Sequence, residues 1–117
     1  MSADSRHGLI IEDEMLIALE IEAHLRHLGF LSFDIADSPQ EALILARGHR
    51  PDLITADYRI LEGTGPQAVE AILTEIGVLP VIYVTGNVDM VRGLGFPVVE
   101  KPIVYAALEA AVDAATP

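Results

Sequence analysis

Four apolar segments of this sequence end abruptly on polar or charged side chains. In chain order, the residues at these ends are Glu12 and Asp13, Asp57, Thr85, and Glu100 with Lys101. If the segments are parallel strands, their carboxyl ends lie along one edge of a sheet, which is where open α/β sheets bind ligands. We therefore expect the carboxylates of Glu12, Asp13 and Asp57 to meet the Thr85 hydroxyl and the Lys101 ammonium.

Three neighbouring carboxylates predict a bound cation. At an effective dielectric constant of about 20, two like charges about 4 Å apart repel by roughly 4 kcal/mol, so the acids would raise one another's pKa or destabilise the fold. A hard divalent ion resolves this conflict, and Mg²⁺ needs only one or two protein carboxylates beside its waters. Zinc is disfavoured because no histidine falls within this set.

The same residues suit phosphoryl chemistry. A carboxylate that touches Mg²⁺ and is flanked by a lysine can attack phosphorus and form an acyl phosphate. The metal and the ammonium then offset charge on the transferred oxygens, and Thr85 can donate a hydroxyl to one of them. This arrangement predicts that Asp57 is a phosphoacceptor.

Length and composition set the class of protein. With 117 residues and no cysteine, the chain is predicted to form one cytoplasmic domain over residues 1–117 without disulfides. No run of about eighteen residues lacks a charge, so we expect no membrane segment and no secretory leader. A net charge of −11 argues against direct binding to nucleic acid.

The hydrophobic pattern alternates between strands and helices. After a loose start over residues 1–6, strands are predicted at 7–11, 30–36, 51–57, 80–85 and 97–100. Helices are predicted at 15–28, 39–47, 66–76, 87–92 and 103–115. This alternation indicates an α/β fold, a doubly wound five-stranded parallel sheet of flavodoxin-like order 2-1-3-4-5 with helices on both faces.

Two local features refine this scheme. Ser38, Pro39 and Glu41 predict a helix start with a capping box, in which Ser38 is the N-cap. Between Thr85 and Lys101 the chain must hold a helix, a strand and two connections, so the fourth helix is predicted to be short, frayed or missing.

The motifs "LIIEDE", "LITADYRILEGTG", "VIYVTG" and "VVEKPI", in this order, resemble the response-regulator receiver domain of two-component signalling over essentially the whole chain. The resemblance implies that a histidine kinase phosphorylates Asp57. It also implies that Asp13, Asp57 and the Arg59 carbonyl ligate Mg²⁺ while Glu12 orients a metal water. Thr85 and Lys101 would bind the phosphoryl group, and Pro102 would follow a cis peptide bond.

The chain departs from the usual receiver pattern at three positions. Glu12 stands where aspartate is usual, Leu61 where proline is common, and Val98 where an aromatic residue moves on activation. The segment "YVTGNV" partly resembles the Phe-Ala-Thr-Gly-X-Tyr motif of a single-domain receiver subclass, which also lacks that aromatic residue. We expect membership of this subclass or a near relative, found in bacterial signalling.

The predicted function is a stand-alone phosphoacceptor, not an enzyme, that signals in trans to an unknown downstream protein and carries no output domain. It would be a monomer, or a weak dimer through the fourth and fifth strands and the last helix, near Val98 and Tyr105. Two alternatives stay open: a degenerate receiver that binds partners without phosphorylation, and a small Mg²⁺-dependent aspartyl phosphohydrolase. The phosphohydrolase is disfavoured because Arg59 occupies the position of its second acid. His24 and His27 are interpreted as a solvated helix face, and Tyr83 as a packing residue.

Overall fold

The sheet contains strands that alternate with helices along the chain. In a computed structural model that describes residues 6–116, the strands are β1 (His7–Ile11), β2 (Ser32–Ala36), β3 (Leu53–Ala56), β4 (Arg59–Ile60), β5 (Gly63–Thr64), β6 (Val81–Thr85) and β7 (Val98–Glu100). The helices are α1 (Met15–His27), α2 (Pro39–Gly48), α3 (Gly65–Ile76), α4 (Val88–Val91) and α5 (Tyr105–Ala115). The predicted loose start at residues 1–6 lies, except for Arg6, outside the described residues.

The main sheet confirms the predicted topology. Its five strands are parallel and run in the order β2-β1-β3-β6-β7, which is 2-1-3-4-5 when only these strands are counted. Ile11 pairs with Ala36 on one side and with Ala56 on the other. The carboxyl ends of three strands are therefore level, and the residues that follow them share one edge, called here the carboxyl edge.

Helices cover both faces of the sheet, as predicted. Alternate strand residues point to opposite faces, so each strand contributes to two apolar layers. On one face Ile10, Ile82 and Val84 pack with α1 and α5, and on the other Leu9 and Ile54 pack with α2 and α3. Within residues 6–116 no helix has both the length and the hydrophobicity needed to cross a membrane.

The start of α2 confirms the predicted N-cap but not the predicted capping box. Ser38 does cap α2, because its hydroxyl accepts the Glu41 N–H at 3.2 Å. The Glu41 carboxylate, however, accepts the Asp37 N–H at 3.1 Å instead of the Ser38 N–H, so the reciprocal box is not closed. The complete capping box lies at the start of α3, where Thr64 and Gln67 bond to each other's backbone N–H.

Two elements differ from the expected scheme in the second half of the chain. The fourth helix is short, as expected, and α4 is a single turn, shorter than the segment predicted over 87–92. The segment predicted to be a loop after Asp57 contains an antiparallel pair, β4 with β5. Strands of two residues leave no periodic hydrophobic pattern, which is why this hairpin was not predicted from the sequence.

Candidate functional site

Glu12 leaves the end of β1 and is buried. Its backbone N–H donates to the Ala36 carbonyl at 2.8 Å, which extends the β1–β2 ladder by one residue. Its side chain is 1 % exposed, and one carboxylate oxygen accepts the Glu14 N–H at 3.1 Å. The neighbouring Asp13 is exposed. The two acids therefore present one buried and one accessible carboxylate at the carboxyl edge.

Asp57 follows β3 and lies beside Glu12. Its N–H donates to the Ile11 carbonyl at 3.0 Å, and its Oδ1 accepts the Tyr58 N–H at 2.6 Å. The chain then turns back, and the Gly65 N–H donates to the Tyr58 carbonyl at 2.8 Å. A Cβ at Gly65 would lie 1.8 Å from the Asp57 carbonyl oxygen, so glycine is required for this approach. The side chain of Asp57 stays 12 % exposed.

Thr85 ends β6 and is fully buried. Its hydroxyl oxygen accepts the Asn87 N–H at 3.0 Å and, more weakly, the Tyr58 N–H at 3.4 Å. Both contacts use lone pairs of Oγ1, so they leave the hydroxyl proton available for donation. Thr85 therefore links the loop after β6 to the loop that carries Asp57.

Lys101 joins the two carboxylates. Its backbone N–H donates to the Thr85 carbonyl at 3.0 Å, and a cis peptide bond connects it to Pro102, as the family resemblance implied. The Nζ atom lies 2.9 Å from Glu12 Oε1 and 2.9 Å from Asp57 Oδ2. One ammonium thus compensates two acids that lie 89 and 44 residues away along the chain.

Burial and pairing act in opposite directions on these groups. Burial raises the pKa of Glu12 above its usual value, although hydrogen bonds from Lys101 and from the Glu14 amide act to lower it. For Lys101, burial alone would lower the pKa, but the hydrogen bonds with Asp57 and Glu12 outweigh it and the pKa is raised. The cluster is therefore one protonated lysine held by two carboxylates, and burial makes Glu12 costly to ionise.

The predicted acids form a cluster with the ligand atoms of a cation site. One oxygen from each of Glu12, Asp13 and Asp57 lies within 4.8 Å of the others, and such oxygen donors are what a hard divalent ion prefers. Arg59 lies on β4 with an exposed side chain. Its guanidinium carbon is 5.9 Å from the centre of the Tyr58 ring, and the role predicted for its carbonyl stays a prediction. Glu100 ends β7 and is exposed.

The structure adds two residues that the sequence did not single out. The Tyr58 N–H orients Asp57, and Gly65 lets the returning chain pack against the Asp57 backbone. The glycine in "GTGP" was recognisable as a loop residue, but only the hairpin shows what it approaches.

Val98 stands where receivers usually carry an aromatic residue, and other aromatic side chains pack nearby. Val98 pairs in register with Tyr83, and Tyr83 is 1 % exposed with its ring 6.0 Å from that of Phe96, edge to face. The interpretation of Tyr83 as a packing residue is confirmed. His24 and His27 are not simply solvated, because their rings lie 5.3 Å and 6.1 Å from the Tyr105 ring on α5.

Comparison with known proteins agrees with this geometry. The family model described as "Response regulator receiver domain" matches residues 9–113. The chain is 42 % identical over 79 residues to the phyllosphere-induced regulator PhyR of Methylorubrum extorquens, which covers 66 % of this chain and 29 % of that protein. It is 33 % identical over 84 residues to the transcriptional regulatory protein PdtaR of Mycobacterium tuberculosis, covering 72 % of this chain and 40 % of the relative. The chain thus spans less than half the length of these relatives.

Solved structures show the same fold. The PhyR receiver domain of Erythrobacter litoralis superposes with a TM-score of 0.83 at 29 % identity, covering 95 % of this chain and 89 % of that one. The receiver domain of the sensor histidine kinase PA1611 of Pseudomonas aeruginosa, solved with a magnesium ion in its active-site cleft, gives 0.82 at 25 % identity, covering 95 % and 97 %. With the family model matched from the first strand to the last helix, this chain belongs to the response regulator receiver domain family.

Proposed function

We propose that this domain is a phosphoacceptor: Asp57 takes a phosphoryl group from a histidine kinase, and the phosphorylated domain signals to another protein. The domain undergoes and assists this transfer on its own side chain and does not turn over an external substrate. The observation that carries the proposal is the position of Lys101 Nζ, 2.9 Å from Asp57 Oδ2 and 2.9 Å from Glu12 Oε1.

This position matters because phosphoryl transfer depends mainly on placement and charge. The attacking carboxylate becomes an acyl phosphate, and negative charge develops on the transferred oxygens. Lys101 stands beside the attacking group before the reaction, so its ammonium needs to move little to contact a phosphoryl oxygen. Asp57 is only slightly exposed, yet it lies at the open carboxyl edge where a phosphodonor can reach it.

The acids at this edge fit Mg²⁺. Asp13 and Asp57 would bind the ion directly, and Glu12 would hold one of its waters. The donor set supports this assignment, since it consists of oxygens from three carboxylates. The single positive charge of Lys101 leaves this set with a net negative charge. When bound, such an ion supplies positive charge to the phosphoryl oxygens.

Thr85 supplies a further contact after transfer. Because its Oγ1 uses lone pairs toward Asn87 and Tyr58, its proton can be donated to a phosphoryl oxygen on Asp57. The Tyr58 and Asn87 amides that Thr85 touches belong to the loops after β3 and β6. A shift of Thr85 toward the phosphoryl group would therefore disturb the loop that leads into the single turn of α4.

The partners follow from this chemistry. The domain is cytoplasmic, and its donor is a phosphohistidine on a histidine kinase. The receiving partner is a protein that distinguishes the two states of the loops after β3 and β6. The face of β6, β7 and α5, on which Val104 and Tyr105 are exposed, is the proposed surface for weak dimerisation. Sedimentation with and without a phosphoryl mimic tests the dimer independently of phosphorylation.

Mass spectrometry tests the phosphoacceptor directly. Incubation with Mg²⁺ and acetyl phosphate should add one phosphoryl group to the wild type and none to Asp57→Asn. Asp113→Asn, on the exposed face of α5, is the matched control and should be modified like the wild type. If no small phosphodonor modifies the domain in Mg²⁺, the phosphorylation-independent binding role is favoured over the phosphoacceptor. Steady turnover of a phosphomonoester would instead indicate the phosphohydrolase.

A further inference from the structure

The opposite edge of the sheet, where the strands begin, carries a second cluster of ionisable side chains. His7 begins β1 and is 2 % exposed, although it is a polar residue. Its Nδ1 lies 2.7 Å from Ser32 Oγ, and its Nε2 lies 3.0 Å from Asp34 Oδ2. The imidazole of His49 stacks on that of His7 with ring centres 3.5 Å apart and planes 9° apart. We call His7, Asp34 and His49 the amino-edge cluster.

The fold places these residues together by two independent routes. In the β1–β2 ladder His7 pairs with Ser32, and Asp34 follows on the same side of the strand two residues later. His49 comes from α2, as the residue that caps its carboxyl end. The cluster therefore joins two strands and one helix, and it uses none of the residues of the phosphoacceptor site.

We propose that the amino-edge cluster is a second cation site, suited to a borderline transition-metal ion such as Zn²⁺. Its donors are an imidazole nitrogen from each histidine and a carboxylate oxygen of Asp34, and one such atom from each residue lies within 4.8 Å of the others. Imidazole and carboxylate are ordinary zinc ligands, whereas Mg²⁺ prefers oxygen alone. This proposal does not rest on the proposed phosphorylation.

Ser32 prepares His7 for this role. A ligating histidine usually donates its second ring N–H to a neighbouring acceptor, which fixes the tautomer and orients the ring. The Ser32 hydroxyl can accept from Nδ1–H as readily as it can donate to Nδ1, so it supports either tautomer. With the proton on Nδ1, the Nε2 lone pair of His7 points toward the Asp34 carboxylate and is free to bind a metal.

His49 has to turn for the site to form. Donors around a tetrahedral zinc lie about 3.3 Å apart, and the 3.0 Å between His7 Nε2 and Asp34 Oδ2 is already close to this spacing. Two stacked rings cannot both direct in-plane lone pairs at one ion, so the His49 ring must rotate out of the stack. His49 is exposed and can do so, while its backbone stays fixed by the N–H bond to the Leu45 carbonyl.

The electrostatic surroundings favour a cation here. His49 caps the carboxyl end of α2, where its N–H donates to the Leu45 carbonyl, and the carboxyl end of a helix attracts positive charge. The buried backbone of His7 is also anchored on both sides by Asp52, whose Oδ2 accepts the His7 N–H at 2.7 Å and whose N–H donates to the His7 carbonyl at 2.7 Å. This anchoring holds one ligand rigid while the exposed ligand adapts.

The test is a zinc titration of the untagged full chain, followed by calorimetry and by the ring-proton NMR signals of the four histidines. The background is Asp13→Asn with Asp57→Asn, so that the carboxyl edge cannot compete for the ion. One ion per chain should bind, shifting the signals of His7 and His49. Because His7 is buried, the variants are His49→Gln and Asp34→Asn, each of which should abolish detectable binding. Ser32→Ala should weaken it by about 10–100-fold.

The chain supplies its own control. His24 and His27 form the other histidine pair, on α1, and the double variant His24→Gln with His27→Gln should bind zinc as the parent does. Unchanged affinity in His49→Gln and Asp34→Asn, or zinc-dependent shifts confined to His24 and His27, would overturn the proposal. No saturable binding by the parent would overturn it as well. Phosphorylation of wild-type Asp57 is measured separately, so each proposal can fail without the other.

Discussion

The two edges of the sheet carry clusters of similar size and opposite chemistry. At the carboxyl edge, Lys101 holds two carboxylates at 2.9 Å, and these oxygens suit a hard cation. At the amino edge, His7 contacts Asp34 at 3.0 Å, and the donors are mainly nitrogen. The carboxyl edge consists of loops that leave the strands, while the amino edge consists of residues inside strands and at a helix end. In the two proposals, the kind of donor is what distinguishes the ion expected at each edge.

The edges also differ in how their charge is compensated. Glu12 is buried and paired with a lysine that must serve two acids, so removing that lysine leaves uncompensated charge in a confined space. The amino edge pairs a carboxylate with an imidazole that can be neutral, and Ser32 satisfies its second nitrogen. We therefore expect perturbations at the carboxyl edge to have the larger effects on stability.

The largest effect is expected for Lys101→Met without divalent ions. Breaking a buried ion pair by removing one partner costs about 3–5 kcal/mol, and the partial exposure of Lys101 places this case near 3 kcal/mol. Urea unfolding in the presence of a chelator measures the loss. The double variant Lys101→Met with Glu12→Gln should recover most of it, and a double variant as unstable as the single one would contradict the role given to charge.

Glycine substitutions compare the packing of the two edges. Gly65→Ala should lower the free energy of unfolding by about 1–3 kcal/mol, because its Cβ would meet the Asp57 carbonyl at 1.8 Å. Gly48→Ala, beside His49 at the end of α2, has no atom within 4 Å of the new Cβ and should stabilise by about 0.5 kcal/mol. Thermal and urea unfolding of the two variants measure these effects, and equal changes in stability would contradict the predicted difference.

The raised pKa of Glu12 predicts a pH dependence confined to the carboxyl edge. A carboxyl whose folded pKa exceeds its unfolded value of 4.5 favours folding while protonated, so its contribution is present below pH 4.5 and is lost as the pH rises through the folded pKa. In chelator, the stability of the wild type relative to Glu12→Gln should fall by at most about 1.4 kcal/mol per pH unit in that window. A difference independent of pH would contradict the burial argument.

The smallest effects are expected from two buried threonines on neighbouring strands. Thr85→Val should cost about 1 kcal/mol, because it leaves the Asn87 N–H without its acceptor, whereas the Tyr58 N–H keeps its bond to Asp57 Oδ1. The Thr55 hydroxyl has no hydrogen-bond partner among residues 6–116, so Thr55→Val should be neutral or stabilising by up to about 1 kcal/mol. Chemical unfolding compares the two, and equal effects would contradict the role given to the Thr85 oxygen.

Much of this molecule follows from local patterns in the sequence. Apolar runs of four to five residues that end in acids, and helical stripes such as Ile21 with Leu25, predict the alternating α/β order and the edge on which Asp57 lies. The predicted strand bounds differ from the observed ones by up to two residues, since β2 begins at Ser32 and β3 at Leu53. The length of the fourth helix was limited by counting residues, because the segment between Thr85 and Lys101 also had to hold a strand and two connections.

Other features depend on contacts between distant residues. The β4–β5 hairpin, the approach of Gly65 to Asp57, and the bond from Glu41 to Asp37 instead of Ser38 leave no periodic trace in the sequence.

The sequence by itself determined which chemical groups stand at strand ends, because hydrophobic periodicity fixes where each strand stops. Only the tertiary structure decided that one lysine serves both Glu12 and Asp57, and that His7 and His49 stack beside Asp34. These distances depend on strand register and on the packing of helices against the sheet. Register and packing minimise the free energy of the whole chain, and no local segment encodes them.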